Sequence, residues 1–264
     1  MSEYDWIEKL EKKPNYKLGQ NFLIDTNISR KITKLVQGQL ADPIIEVGPG
    51  TGSLTNELLK DNYRIKAVEI DSGASELLKL RFQDVPNLEI FNEDAMSFDY
   101  SQLTGPWWIF VSNLPYNIGT RLLVKLIIEV PVIHRYVVMV QKEVAQRLIA
   151  NIGTKDYSRI TVMTGLYFNI KICFYISPNV FKPRPKVESA FISIKKNNKY
   201  DLSNIDSKRY SQVVRMAFNQ RRKMLRNSLS TLDINRDKCK VDFKRRPEQL
   251  SIDEFLDISN NIIS

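Results

Sequence analysis

Short apolar runs of strand length alternate along this chain with longer stretches in which apolar residues return every three or four positions. In ISRKITKLV, Ile28, Ile32, Leu35 and Val36 share one helical face, and Asp25 or Thr26 stands in front to cap it. PIIEV (43 to 47) is a short apolar strand that runs straight into glycines. SLTNELLKDN then predicts a helix, IKAVEID a strand, and SGASELLKLRF a helix with Ser72 as its cap. LEIF and WWIFVSN follow as strands, TRLLVKLIIEV as helix, YVVMVQ as strand and KEVAQRLIA as helix. This alternation predicts an α/β fold, a mostly parallel sheet covered on both faces. IKICFYI (170 to 176) and SAFISIKK (189 to 196) come without a helix between them and are expected as an antiparallel pair at one edge.

Around NNKYDLSNID (197 to 206) the strand pattern stops, which divides the chain into a first domain, 1–198, and a small all-α domain, 199–264. In the second, Val214, Phe218, Leu225 and Leu229 form an apolar stripe along an extended helix through FNQRRKMLRNSL, with Arg215, Arg222 and Arg226 on another face. A last helix is expected near IDEFLDISN.

Charge sharpens that division. Residues 1–181 hold 20 basic and 20 acidic side chains, while 182–264 hold 19 and 10, so the whole net charge of +9 lies in the last third. That asymmetry points to a polyanion-binding surface. The chain is 43% apolar and 26% charged, an ordinary globular composition. No window offers the roughly 18 apolar residues of a membrane span, and a soluble, cytoplasmic protein is expected. Cys173, Cys239 and the lone His134 are too few and too scattered for a disulfide framework or a zinc site.

The chemistry concentrates at three strand ends. Glu46-Val47-Gly48-Pro49-Gly50-Thr51-Gly52 sits between a strand and a helix, where a glycine-rich loop brings backbone against a ligand. Its ExGxGxG spacing differs from the dinucleotide GxGxxG and resembles the cofactor loop of S-adenosylmethionine-dependent methyltransferases. Glu69, at the end of the next strand, can accept from both hydroxyls of a ribose, and Asp94, after the strand beyond, can accept from an adenine amine.

The third feature is SNLPYNIG (112 to 119), at the end of an apolar strand. An exocyclic amine on a base is a poor nucleophile because its lone pair is delocalised into the ring. Acceptors on its N–H groups pull the nitrogen toward tetrahedral geometry and aim the lone pair, which is positioning and electrostatics rather than proton abstraction. Asn113 offers a side-chain carbonyl, Leu114 a backbone carbonyl held extended by the following proline, and Tyr116 a flat face for stacking. NLPY is similar to the (D/N)PP(Y/F) motif of amino-methyltransferases, with leucine in the second place. His134 is expected to be structural.

Taken together, LGQNFL (18 to 23), EVGPGTGSLT (46 to 55), VEID (68 to 71), EDAM (93 to 96), NLPYNI (113 to 118), VQKEVAQRL (140 to 148), SPNVFKPRPKVESA (177 to 190) and FNQRRKMLRNSL (218 to 229) carry a resemblance, over nearly the full length, to the ribosomal RNA adenine dimethyltransferases, specifically those acting on small-subunit rRNA. The resemblance implies a Rossmann-like class I methyltransferase sheet and S-adenosyl-L-methionine as cofactor. It implies that Gln20, Asn21 and Leu23 line the methionine end, with Gly48, Gly50, Glu69, Ile70, Asp94, Ala95 and Asn113 as further contacts. Phe181 would sandwich a flipped adenine against Tyr116, flipping being necessary because the amine is unreachable in a stacked helix. The implied reaction is dimethylation of two adjacent adenosines near the 3′ end of 16S rRNA, on free rRNA or an immature small subunit, by a monomer with no metal and no membrane. Arg221, Arg222, Lys223 and Arg226 are expected on RNA phosphates. The alternatives are a 23S rRNA methyltransferase of the macrolide-resistance type and a catalytically silent assembly factor. Ser158, where the family usually has glycine, and Gly165-Leu166 depart from the pattern.

Overall fold

The computed structural model describes residues 2–10, 20–36, 42–105, 107–114 and 118–263. Contacts divide the chain into two compact units, Met1–Ala145 with Lys171–Lys195, and Gln146–Ile170 with Lys196–Ser264. The helical unit therefore draws on residues 146–170 as well as on the C-terminal segment.

The strands are β1 (Phe22–Leu23), β2 (Ile44–Val47), β3 (Ile65–Val68), β4 (Leu88–Phe91), β5 (Trp108–Asn113), β6 (Ile133–Gln141), β7 (Phe168–Ile176), β8 (Phe181–Lys182) and β9 (Ser189–Lys196). Seven of them form one sheet in the order β4-β3-β2-β5-β6-β9-β7. The five strands from β4 to β6 run parallel, and β9 joins β6 antiparallel. The expected antiparallel edge is thus present, with β7 beside β9 at the end of the sheet. The helices alternating with these strands are α1 (Glu3–Glu8), α2 (Thr26–Val36), α3 (Ser53–Lys60), α4 (Ser72–Arg81), α5 (Gly119–Glu129) and α6 (Lys142–Leu148). Asp71, not Ser72, caps α4, its carboxylate accepting from the Ala74 amide. Ile44, Ile109, Val111 and Val137 are buried in one core cluster with Ile32, Val36 and Leu58 from α2 and α3. This burial holds the sheet and its helices together.

Chain order reverses between β2 and β5, the switch point at whose carboxyl edge open α/β sheets bind ligands. Ser112 Oγ donates to the Val47 carbonyl at 2.6 Å, tying the two strand ends together there. A separate two-stranded ribbon pairs Phe22 with Lys182 and Leu23 with Phe181.

The helical unit contains α7 (Arg159–Tyr167), α8 (Ser207–Asn219), α9 (Leu225–Ser228) and α10 (Ile252–Asn260). Val162, Leu166, Val214, Leu225, Leu229 and Phe255 are buried in its core. Gly165 is the close-approach position in α7: a Cβ there would stand 2.7 Å from Ile252 Cδ1. The long helix expected through FNQRRKMLRNSL is broken. α8 ends at Asn219, and the amides of Leu225 and Arg226 donate to the carbonyls of Arg245 and Phe243 instead of continuing a helical ladder. Val214, Phe218, Leu225 and Leu229 still meet in one core, because the turn at 220–224 preserves the face they share.

Among the described residues, no helix is long and apolar enough to cross a membrane, and no cluster of three or more His, Cys, Asp or Glu side chains could hold a metal ion.

Candidate active site

The glycine loop leaves β2 and passes three times through left-handed backbone. Gly48, Gly50 and Gly52 have φ of +66°, +59° and +85°, which L side chains rarely adopt. Space is as restrictive as torsion at the last two. A Cβ on Gly50 would lie 2.8 Å from the Phe22 ring, and one on Gly52 2.6 Å from the Phe82 ring.

Glu69 follows β3 and is 4% exposed. Its two oxygens accept from the Gly50 and Asp71 amides, each at 3.0 Å. A carboxylate offers about four acceptor positions, so this fixes the group while leaving capacity for two hydroxyls. Burial pushes its pKa up, against the two amides that favour the charged form. Glu46, at the entrance to the same loop, is 2% exposed and accepts from Thr55 Oγ1 at 2.8 Å. Burial pushes its carboxyl up to about 8, the Thr55 hydroxyl opposing the shift and the Glu69 charge adding to it. Asp94 is exposed, its Oδ1 accepting from the Met96 amide, and Ala95 beside it is buried.

At the end of β5, Asn113 Nδ2 donates to the Asn21 carbonyl at 3.0 Å. That contact decides which way round the amide sits, since the opposite orientation would set two oxygens face to face. The carbonyl end, Oδ1, is the one left to accept from an amine. Leu114, 2% exposed, follows it. Gln20 Nε2 donates to Asp71 Oδ2 at 3.1 Å, so the segment before β1 is tied to the glycine loop's neighbours at one residue and to β5 at the next.

These groups line one open, concave cleft, the kind of surface on which small-ligand sites are built. Gln20, Asn21, Leu23, Gly48, Gly50, Glu69, Ile70, Asp94, Ala95, Asn113 and Leu114 all face it. So do Glu46, Glu93, Ile118 and Met139, which the sequence reading did not place among the ligand contacts. Glu46 was legible as the first letter of ExGxGxG. Met139 is found only through register, because it pairs directly with Asn113 across β5 and β6. Four carboxyl side chains and no lysine or arginine line the cleft among the described residues. Such a lining suits a cationic ligand with hydroxyl groups and opposes a pyrophosphate.

Two expected members stand apart. Tyr116 lies outside the described residues. Phe181 is 3% exposed, belongs to the core cluster with Leu23, Ile176 and Phe191, and does not line the cleft. Its strand pairing with Leu23 accompanies burial of the ring, so Phe181 here anchors its loop and presents no face to a base.

In the helical unit Arg222, Lys223 and Arg226 are exposed. Arg221 is committed within that unit: Nη2 donates to the Thr154 carbonyl at 3.2 Å, and Nε stands 3.9 Å from Glu248. His134 lies 3.6 Å from Asp42 and edge-on to Trp107, away from the cleft residues in the sheet, in keeping with a structural role.

A family model described as ribosomal RNA adenine dimethylase matches residues 11–264. The chain is 36% identical to the ribosomal RNA small subunit methyltransferase A of Clostridium botulinum (strain Kyoto / Type A2), over 99% of this chain and 98% of that one. It is 38% identical to the protein of the same name from Clostridioides difficile (strain 630), over 99% and 96%. Among solved structures, a dimethyladenosine transferase from Plasmodium falciparum superposes with a TM-score of 0.75 at 24% identity, covering 90% of this chain and 98% of that one. The 23S rRNA methyltransferase ErmE superposes at 0.69 and 25% identity, covering 92% and 99%. Both share the fold described above.

Proposed function

The chain belongs to the ribosomal RNA adenine dimethylase family, and from that premise we propose that it is the S-adenosylmethionine-dependent enzyme that dimethylates N6 of two adjacent adenosines near the 3′ end of small-subunit rRNA, acting in ribosome biogenesis as a cytoplasmic monomer. The observation that carries the chemistry is Asn113, whose amide is locked by Asn21 with its carbonyl end free, in a cleft it shares with Glu69 and the glycine loop.

The cleft fits the cofactor. Glu69 has acceptor capacity for ribose hydroxyls, Asp94 keeps its second oxygen for an adenine amine, and the acidic lining complements a sulfonium. When bound, S-adenosylmethionine supplies an electrophilic methyl group. The chain's own residues bind and aim the nucleophile. Asn113 Oδ1 accepts from the adenine N6–H, and the Leu114 carbonyl takes the second hydrogen, turning the lone pair out of the ring plane. A general base is unnecessary, because the alkylated nitrogen is acidic enough to release its proton to water. Tyr116 supplies the stacking face. Phe181, buried beside Leu23, supports the cleft wall and joins the stack only if its loop turns the ring outward.

Small-subunit rRNA is favoured over 23S rRNA as substrate because the relatives named for the small subunit match at 36–38% identity across the whole chain, against 25% for ErmE. Mass spectrometry of rRNA from unmethylated small and large subunits, each incubated with the protein and labelled S-adenosylmethionine, is expected to show N6,N6-dimethyladenosine in the small-subunit rRNA. Label appearing in 23S rRNA alone would favour the macrolide-resistance reading, and no label at all the silent assembly factor.

Arg222, Lys223 and Arg226 give the helical unit an exposed cationic surface for phosphates. Reversing charge at Arg222 and Arg226 together is expected to weaken rRNA binding and to lower the slope of log affinity against log salt by about 2, roughly 1 per phosphate contact. Affinity for S-adenosylhomocysteine should stay unchanged, and a parallel loss of both would mean misfolding.

A further inference from the structure

The peptide between Gly50 and Gly52 has a buried polar group whose partner lies outside the glycine loop. With left-handed backbone on either side, the carbonyl of Thr51 accepts from Arg81 Nη1 at 2.7 Å, and Thr51 is 1% exposed. A buried carbonyl needs such a partner. Arg81 is the last residue of α4, whose first turn begins beside Glu69, so this helix touches the cofactor cleft at one end and the back of the glycine loop at the other.

Arg81 is itself desolvated, its side chain only 8% exposed, and a charge in that position requires a counter-charge. Glu3 of α1 provides it with both oxygens: Nη2 to Oε1 at 2.7 Å and Nη1 to Oε2 at 3.0 Å. The Thr51 hydroxyl stands 3.5 Å from the same Oε2. Glu3 is equally buried, 5% exposed at its side chain. The Trp6 ring, with the guanidinium 5.0 Å from its centre, and buried Ile7 complete the dock. α1 has only six residues and a Ser2–Asp5 capping box, which is too short to persist without such contacts. On its other side, Tyr4 lies under the Lys182 ammonium at 5.0 Å, in the loop that carries Phe181.

We propose that Arg81 is a positioning residue for the donor-binding loop and that Glu3, by neutralising it, makes docking of the N-terminal helix and binding of the methyl donor mutually dependent. The proposal rests on the assignment of the cleft to S-adenosylmethionine. Among the described residues α1 does not line that cleft, and the buried contact of Arg81 with the Thr51 carbonyl links the two. By linkage, whatever weakens the helix dock weakens donor binding, and donor binding tightens the dock by the same factor.

The test is calorimetric titration with S-adenosylhomocysteine, alongside amide exchange of residues 3–9. Glu3→Gln and Arg81→Met are each expected to bind roughly tenfold more weakly. Arg81→Lys keeps the charge and the fold but cannot bridge both Glu3 oxygens and the Thr51 carbonyl at once, so it too is expected to lose affinity. Lys79→Met, an exposed residue on the same helix, should bind as wild type. In the wild-type protein, saturating S-adenosylhomocysteine should slow exchange across α1. Undiminished affinity in Arg81→Lys and Glu3→Gln, or exchange in α1 that ignores the ligand, overturns the coupling. A wild-type protein that binds no S-adenosylhomocysteine would remove the functional reading itself, and the coupling with it.

Discussion

Asn113→Ala is expected to lower kcat for rRNA methylation by roughly 10²–10³-fold, the cost of removing one aimed polar contact at a reacting centre. Most of that loss comes from the acceptor that turns the adenine amine out of conjugation. A smaller part comes from the other end of the side chain, where Nδ2 holds the Asn21 carbonyl and, through it, the segment that includes Gln20. The two roles separate in Asn113→Asp. Aspartate keeps an acceptor for the amine but has no hydrogen to give Asn21, and it sets a negative oxygen against a carbonyl. S-adenosylhomocysteine affinity should therefore fall further in Asn113→Asp than in Asn113→Ala, while methylation of pre-bound rRNA in a single turnover falls further in Asn113→Ala. If Asn113→Ala methylated as fast as wild type under those conditions, positioning by this amide would be excluded.

Much of this site is legible in the sequence alone, because its residues lie where a strand ends and the sequence marks strand ends plainly. Three short apolar runs that stop at Gly48, Glu69 and Asn113 place those groups on one edge by topology alone, and the cleft gathers all three. What stayed hidden depends on distance across the fold. Glu3 and Arg81 are 78 positions apart, and nothing in either local pattern announces a buried pair. Phe181 was expected to face a base because its loop resembles a stacking loop, yet its pairing with Leu23 was set by a ribbon too short to show periodicity. Helix α7 is hidden in the sequence for another reason. RITVMTGLY is rich in β-branched residues and buries Thr161, Val162, Thr164 and Leu166, so it has no polar face to produce a helical period. The break after Asn219 was equally invisible, since the stripe of Val214, Phe218, Leu225 and Leu229 is satisfied with or without a continuous helix.

The acidic character of the cleft makes donor binding sensitive to pH, and the direction follows from Glu46. Its carboxyl is raised from an ordinary 4.5 to about 8, chiefly by burial, so at neutral pH the empty site holds it mostly protonated. A cation entering the cleft favours the carboxylate and drives the proton off. Affinity for S-adenosylmethionine is therefore expected to climb as pH rises from 6 and to level off above about 8, by at most roughly tenfold per pH unit. Titrations in buffers of different ionisation enthalpy should show proton release. Fold stability without ligand runs the opposite way. A group whose folded pKa is raised binds more protons folded than unfolded, so its contribution is complete below 4.5 and is lost as pH rises through about 8. The thermal midpoint of the empty protein should fall across that window while that of the donor complex falls less. Glu46→Gln, which can still accept from Thr55, should flatten both profiles, leaving only the dependence of Glu69, whose pKa is shifted in the same direction. An affinity that is level or declining between pH 6 and 8 in the wild-type protein would mean that Glu46 keeps its proton when the donor is bound, and that the positive charge of the donor is met by other groups of the cleft.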